Sequence, residues 1–212
     1  MSTWPAPVVV RRGSADQAAP LVVLLHGRGS NELDIAELAD HLPPQCAYAA
    51  VRGPIAQGQD AYAWFANRGI GRPLADSLAD TTAWFRSWLD AELADAPDRP
   101  VVLVGFSGGA AFAGGLLLGQ PLRWAGVAVL YGTLPFDAGV PVEPGQLAGA
   151  RVLVAQGDDD TVIPRELLDR TWSYLHEASG AELTGHRDGG GHGISGPALR
   201  VLRDWLTRVA RS

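Results

Sequence analysis

Short apolar runs bounded by glycine or proline recur along the chain at residues 8–11, 21–25, 47–51, 101–104, 126–130, 151–155 and 182–186. Each has the length of a β-strand. Several are continuously apolar rather than alternating, the pattern of parallel strands covered on both faces. Between them, apolar residues return at helical spacing over residues 31–42, 76–94, 108–118, 164–178 and 197–209. In the second of these segments Trp84, Trp88 and Leu89 mark a buried face. In the last, Leu199, Leu202, Trp205, Leu206 and Val209 form one stripe. Strands alternating with helices predict an α/β fold, with a mostly parallel central sheet of about seven strands flanked by helices and joined by right-handed crossovers. Residues 52–74 and 133–149 are rich in Gly, Pro and Ala and too long for ordinary connections. Such loops usually build the site above the carboxyl ends of the strands.

Length and composition narrow the picture. A chain of 212 residues, 47% hydrophobic and 19% charged, supports one domain over residues 1–212 with a sizeable core and no stapling disulfides. There is no room for a large lid domain. A net charge of −6 argues against a general affinity for nucleic acid or anionic membrane. Cys46 is the single cysteine, so neither an internal disulfide nor a cysteine-based zinc site is available. The N-terminal residues lack the pattern of a signal peptide. No apolar run reaches the ~18–20 residues of a membrane span, so no stable membrane insertion is expected. The expectation is a soluble, cytoplasmic protein. The sequence contains no lysine, which removes any lysine-based chemistry.

The strongest chemical signal is the apolar run Val101-Val102-Leu103-Val104 leading into Gly105-Phe106-Ser107-Gly108-Gly109. A serine at a sharp strand-to-helix turn is exposed at the sheet edge, and glycines two residues either side let neighbouring backbone approach. The following helix directs its free N–H groups toward an anion forming at the serine. Serine needs a base, and the base needs an orienting carboxylate. Downstream lie the acidic run Asp158-Asp159-Asp160 and then His192 within Gly189-Gly190-Gly191-His192-Gly193. The residues alone do not choose among the three aspartates. His186 is the competitor to His192 but sits in a predicted strand, while His26, at the end of the second strand, reads as a brace for the next loop. The spacing of His186, His192 and the aspartates matches no standard metal-ligand pattern, so neither a metal nor a cofactor is expected. The turn His26-Gly27-Arg28-Gly29 after the second strand nominates the backbone N–H of Arg28, with that of Gly108, as an oxyanion hole. Ser30 or Asn31 would cap the next helix.

With these motifs in order, the chain resembles the phospholipase/carboxylesterase branch of the α/β-hydrolases, which includes acyl-protein thioesterases. The matching segments are Leu25-His26-Gly27-Arg28-Gly29, Gly105-Phe106-Ser107-Gly108-Gly109, Gly157-Asp158-Asp159-Asp160-Thr161-Val162-Ile163-Pro164 and Gly191-His192-Gly193. A looser match joins Arg52-Gly53-Pro54 with Ala63-Trp64-Phe65. The resemblance implies an α/β-hydrolase fold with Ser107 as nucleophile, His192 as general base and Asp160 as its orienting carboxylate, the acid lying four residues before Pro164. It departs from the family pattern where Gly108 replaces the usual Gln after the nucleophile, where Arg28 replaces a frequent Leu, and where Thr161 replaces a common Pro. The implied activity is hydrolysis of small or short-chain carboxylic esters through an acyl-enzyme. A thioesterase or lysophospholipase with the same triad is the alternative, and a non-catalytic binding module of the same fold is a distant third. Tyr62, Trp64 and Phe65 read either as an apolar wall for the substrate or as ordinary core aromatics. Arg28, Arg68 and Arg72 read either as partners for a substrate anion or as solvated loop residues. Members of the family often pair, so a homodimer is compatible with the resemblance, though no interface is legible.

Overall fold

The computed structural model describes residues 4–210. Strand β1 (Val9–Gly13) leads directly into β2 (Leu21–Leu25), and α1 (Glu32–Ala36) with the 3₁₀ turn Glu37–His41 connects β2 to β3 (Ala47–Val51). Two small hairpins follow, β4 (Ile55–Gly58) with β5 (Ala61–Ala63) and β6 (Asn67–Gly69) with β7 (Arg72–Pro73). Then come α2 (Ala75–Glu92), β8 (Val101–Phe106), α3 (Gly108–Gly119), β9 (Gly126–Leu130) and β10 (Arg151–Gly157). The chain closes with α4 (Arg165–Ser173), a wider π-type turn over Tyr174–Ala178, β11 (Glu182–Asp188) and α5 (Gly196–Val209).

Seven strands form one sheet in the order β1-β3-β2-β8-β9-β10-β11. Only β1, at the edge, runs antiparallel to its neighbour. Alternation along β2 divides the core. Leu21, Val23 and Leu25 face one layer, with Phe85, Phe112 and Leu167 from α2, α3 and α4. Val22 and Leu24 face the other, with Ile35, Leu202 and Trp205 from α1 and α5. Both faces are therefore covered, which explains why β2, β3 and β9 are buried along their whole length and read as unbroken apolar runs. This is the α/β-hydrolase architecture that the sequence predicts, with no added lid domain among the described residues.

The differences from expectation are local. The predicted helix over residues 31–42 is one α-helical turn and a half followed by the 3₁₀ turn, ending where Leu42, extended at φ −109° and ψ 171°, precedes Pro43. The helix expected over residues 164–178 widens after Ser173. Residues 52–74, without a predicted element, hold the two hairpins. Their strands are two to four residues long and pair mainly with each other, too short for a periodicity signal. No described helix is long and apolar enough to cross a membrane.

Candidate active site

The carboxyl ends of β2, β8, β10 and β11 converge on one place. Ser107 occupies the turn from β8 to α3 with φ 53° and ψ −112°, a left-handed conformation that a non-glycine residue holds only under constraint. The constraint is steric. A Cβ at Gly105 would lie 2.2 Å from the Gly109 carbonyl oxygen, and one at Gly109 would lie 2.2 Å from that of Leu25. The two glycines therefore let the turn fold onto itself and onto β2. The Ser107 N–H donates to the Leu130 carbonyl at 2.9 Å, fixing the turn to β9.

His192 stands between the serine and a carboxylate. Its Nε2 is 2.9 Å from Ser107 Oγ, and its Nδ1 is 2.8 Å from Asp160 Oδ2. The Asp160 side chain has no solvent exposure, while that of His192 retains 16%. The other carboxylate oxygen, Oδ1, accepts the N–H groups of Val162 at 2.8 Å and Ile163 at 3.0 Å. Asp160 is thus oriented by its own loop, and its second oxygen is free to face the imidazole. Asp158 and Asp159 are exposed. Their loop is pressed against the histidine loop, since a Cβ at Gly157 would sit 2.2 Å from the Gly190 carbonyl oxygen and the Asp159 N–H donates to that oxygen at 3.0 Å.

The Arg28 and Gly108 amides lie side by side. A Cβ on Gly108 would come within 3.1 Å of the Arg28 nitrogen, and Gly108 begins α3, where N–H groups lack helical acceptors. The turn carrying Arg28 is braced on three sides. Gly29 N–H donates to the Tyr62 carbonyl at 2.8 Å, and Tyr62 N–H returns a bond to Ser30 at 2.9 Å. His26, fully buried, faces the Gly27 carbonyl through Nδ1 at 2.7 Å and accepts the Gly53 N–H on Nε2 at 3.0 Å. Burial pushes its imidazole below the usual range, which keeps this bracing ring neutral. Beside it, Arg52 grips Glu32 through two bonds of 2.6 and 2.5 Å. Burial pushes the Glu32 carboxyl upward, but the Arg52 bonds and charge, together with a backbone N–H, outweigh it and hold the group below the ordinary carboxylate range. Asn31, not Ser30, caps α1 by accepting the N–H groups of Leu33 and Asp34.

A cavity of about 590 Å³ opens over Ser107. Its walls are largely apolar, with Phe65, Ile70, Phe106, Val162, Ile163 and Ile194 among them. Ile70 and Val162 remain 48% and 44% exposed at its mouth. Two polar side chains with unused capacity also line it. Among the described residues, Arg28 makes one side-chain bond, from Nε to Gln57 at 3.3 Å, and Asn67 Oδ1 is buried without a partner.

The aromatic trio divides. Phe65 lines the cavity, but Trp64 and Tyr62 do not. Trp64 is 1% exposed, stacks on Phe112 at 4.8 Å and donates its indole N–H to the His26 carbonyl at 2.8 Å, so it is a core residue supporting the turn that carries Arg28. Tyr62 lies beneath the Arg52 guanidinium, 4.5 Å from the ring centre. Trp64 and Phe65 lie in the bend between β5 and β6, and their side chains part there, Trp64 onto Phe112 and Phe65 into the cavity wall. Arg68 and Arg72 are engaged elsewhere, with the Asp137 carbonyl at 3.1 Å and Glu166 at 2.9 Å. His186 is outside the cavity lining and pairs with Asp188 at 3.1 Å. The residue pattern gave no signal for Asn67, Ile70 or Ile194 as cavity residues, because each belongs to a loop or short hairpin without periodicity.

An α/β-hydrolase sheet carrying a serine elbow, with histidine and aspartate loops at the same edge, defines a class. The chain belongs to the phospholipase/carboxylesterase family, whose pattern it matches over residues 6–210. It is 25% identical over 200 residues to MhqD of Bacillus subtilis (strain 168), named as a hydrolase, covering 93% of this chain and 96% of that one. The carboxylesterase SOBER1 of Arabidopsis thaliana is 26% identical over 142 residues, covering 66% of this chain and 62% of SOBER1. Among solved structures, the Bacillus cereus carboxylesterase superposes with a TM-score of 0.82 at 25% identity, covering 96% of this chain and 94% of that one. The protein is accordingly a carboxylic ester hydrolase.

Proposed function

We propose that the protein is a serine carboxylesterase acting on small or short-chain esters, with Ser107 as nucleophile, His192 as general base and Asp160 as the carboxylate that orients it. The observation that carries this reading is the continuous chain of contacts from Asp160 Oδ2 through His192 to Ser107 Oγ, at 2.8 and 2.9 Å, at the floor of the cavity. Ser107 Oγ bonds to the carbonyl carbon as His192 Nε2 takes its proton, and the carbonyl π electrons move onto oxygen. That oxyanion is met by the N–H groups of Arg28 and Gly108. Collapse of the tetrahedral species breaks the bond to the leaving alkoxide, which receives the proton from Nε2. Water then attacks the acyl-enzyme with His192 again as base, releasing the acid and returning the proton to Oγ. Throughout, Asp160 holds Nδ1 protonated and stabilises the imidazolium without itself accepting the proton.

The apolar walls favour an uncharged acyl or alcohol portion. A thioester would meet the same machinery, so the leaving group is decided by substrates rather than by the triad. Hydrolysis of matched chromogenic esters and thioesters of increasing acyl length, by the wild type and Ser107→Ala, tests the reading. The expected result is ester turnover that peaks at short chains and falls by about 10⁶ in Ser107→Ala. Turnover surviving in that variant would overturn the assignment of the nucleophile, and a thioester rate far above the matched ester rate would overturn the leaving group.

A further inference from the structure

The loop that carries His192 has almost no means of holding itself. Residues 189–193 read Gly-Gly-Gly-His-Gly, and glycine loses more conformational freedom on ordering than any other residue. Its two ends are Asp188, the last residue of β11, and Ser195, the N-cap of α5. These ends are tied directly together. Ser195 Oγ donates to Asp188 Oδ2 in a very short bond. Asp188 Oδ1 accepts the N–H of Gly190 at 2.9 Å, holding the first turn of the loop. His186 Nε2 stands 3.1 Å from Oδ2 on the opposite side.

A third member comes from a distant part of the chain. The Tyr131 hydroxyl lies 3.3 Å from both Asp188 Oδ2 and Ser195 Oγ, and accepts the Ser195 N–H at 3.3 Å. Tyr131 is fully buried and holds φ 48°, a conformation that favours glycine and strains a bulky side chain. Its ring is 6.3 Å from that of Phe106, which precedes the nucleophile and in turn lies 5.3 Å from the His192 ring. The strained tyrosine therefore links the serine turn to the neck of the histidine loop. None of Tyr131, Asp188 and Ser195 lines the cavity, and none bonds to Ser107 Oγ or to the ring nitrogens of His192.

We propose that Asp188, closed onto Ser195 and Tyr131, is a positioning residue of the ester-cleaving site, cinching the neck of the glycine loop so that His192 Nε2 stays within reach of Ser107 Oγ. The inference rests on the reading of His192 as general base. Without the Asp188 carboxylate, the Gly190 N–H and the Ser195 hydroxyl lose their common acceptor and the loop regains freedom. The main-chain bonds from Asp158 N–H to the Asp188 carbonyl at 2.7 Å and from Asp159 N–H to Gly190 remain, so the sheet keeps its register. The carboxyl is held below the usual range first by the Ser195 bond, against the opposing effect of burial, consistent with a charged acceptor gathering donors.

The test is a thermodynamic cycle. Ester hydrolysis at two acyl lengths is measured for Asp188→Ala, Ser195→Ala and Tyr131→Phe, each in the wild-type and in the His192→Ala background. In the wild-type background Asp188→Ala is expected to lower kcat/KM by about 10- to 100-fold, equally for both acyl lengths. In the His192→Ala background, the residual rate sustained by the oxyanion hole and by binding is expected to change by less than about 2-fold. An equal loss in both backgrounds would overturn the proposal in favour of a general structural role. A loss that depends on acyl length would overturn it in favour of a cavity-wall role, and an unchanged rate in a folded variant would refute it outright. Should Asp188→Ala fail to give a cooperative melt, Asp188→Asn and Tyr131→Phe run the same cycle, with about 3- to 10-fold losses expected from the weaker perturbation. If His192→Ala itself leaves hydrolysis intact, the base assignment fails instead, which separates the two failures.

Discussion

The serine turn and the histidine loop reach the same point by opposite means. Ser107 is shaped largely by what lies beside it in sequence, namely a buried strand, two glycines with no room for a Cβ and a small-residue helix buried from Gly109 to Leu118, with Leu25 and Leu130 of the neighbouring strands closing on the turn. His192 sits among glycines that impose nothing, and its position comes from Asp160 32 residues away, Asp188 and Ser195 at the loop's neck, and Tyr131 64 residues before Ser195. Local rigidity suits an atom that must be held exposed and strained. In the proposed mechanism, long-range tethering suits a ring that changes partners between Ser107 Oγ, leaving group and water within one turnover. The turn carrying Arg28 falls between the two, with His26 next door and Tyr62, Gly53 and Trp64 from the following segment.

This contrast can be broken from either side. The largest expected effect is on the tether nearest the chemistry. Asp160→Asn should cost about 10⁴ in kcat while leaving the thermal midpoint nearly unchanged, because the Val162 and Ile163 N–H groups still find an acceptor in the amide oxygen. Near-normal turnover would show that another carboxylate serves His192. Next comes the elbow. Gly109→Ala places a methyl carbon 2.2 Å from the Leu25 carbonyl oxygen and 2.6 Å from that of His26, neither of which can move without shifting β2. A loss of about 3 kcal/mol or more in urea unfolding is expected, whereas the same alanine at Gly189, with open space around its Cβ position, should cost far less. Equal losses at the two glycines would erase the distinction between the regions.

The smallest effect concerns pH. Glu32 and Asp188 both have carboxyls held below the ordinary range in the folded protein. A carboxyl depressed on folding adds stability above its unfolded value, near pH 4, and that contribution disappears as pH falls through the folded value. Thermal midpoints from pH 6 downward should therefore decline below about pH 4, and the decline should be shallower in Glu32→Gln and Asp188→Asn, which begin from lower midpoints. A decline of unchanged steepness in both variants would mean that other carboxylates govern the acid limb.

Much of the fold was legible because buried parallel strands must be apolar on both faces, and residues 21–25, 47–51 and 126–130 coincide with β2, β3 and β9. The hairpins within residues 52–74 were not, since their pairing depends on each other and on Ser30 rather than on any repeat of their own. Trp64 and Phe65 show the same limit. Adjacent and both aromatic, they were indistinguishable until the bend after β5 turned one into the core and the other into the cavity wall.

The sequence by itself determined the sheet, the covering helices and the strained serine turn, because each is dictated by neighbours within a few residues: hydrophobic runs, helical spacing, glycines where side chains cannot fit. The family resemblance had already singled out Asp160 among the three aspartates. Only the tertiary structure decided which aromatic faces the cavity, that Asp160 meets His192, and that Tyr131, Asp188 and Ser195 close the neck of the histidine loop. Those relations join His192 to a residue 32 positions away and Tyr131 to residues 57 and 64 positions away. Hydrogen bonds of that kind leave no periodicity in the chain, since they exist only once separate strand ends have been brought to one edge of the sheet.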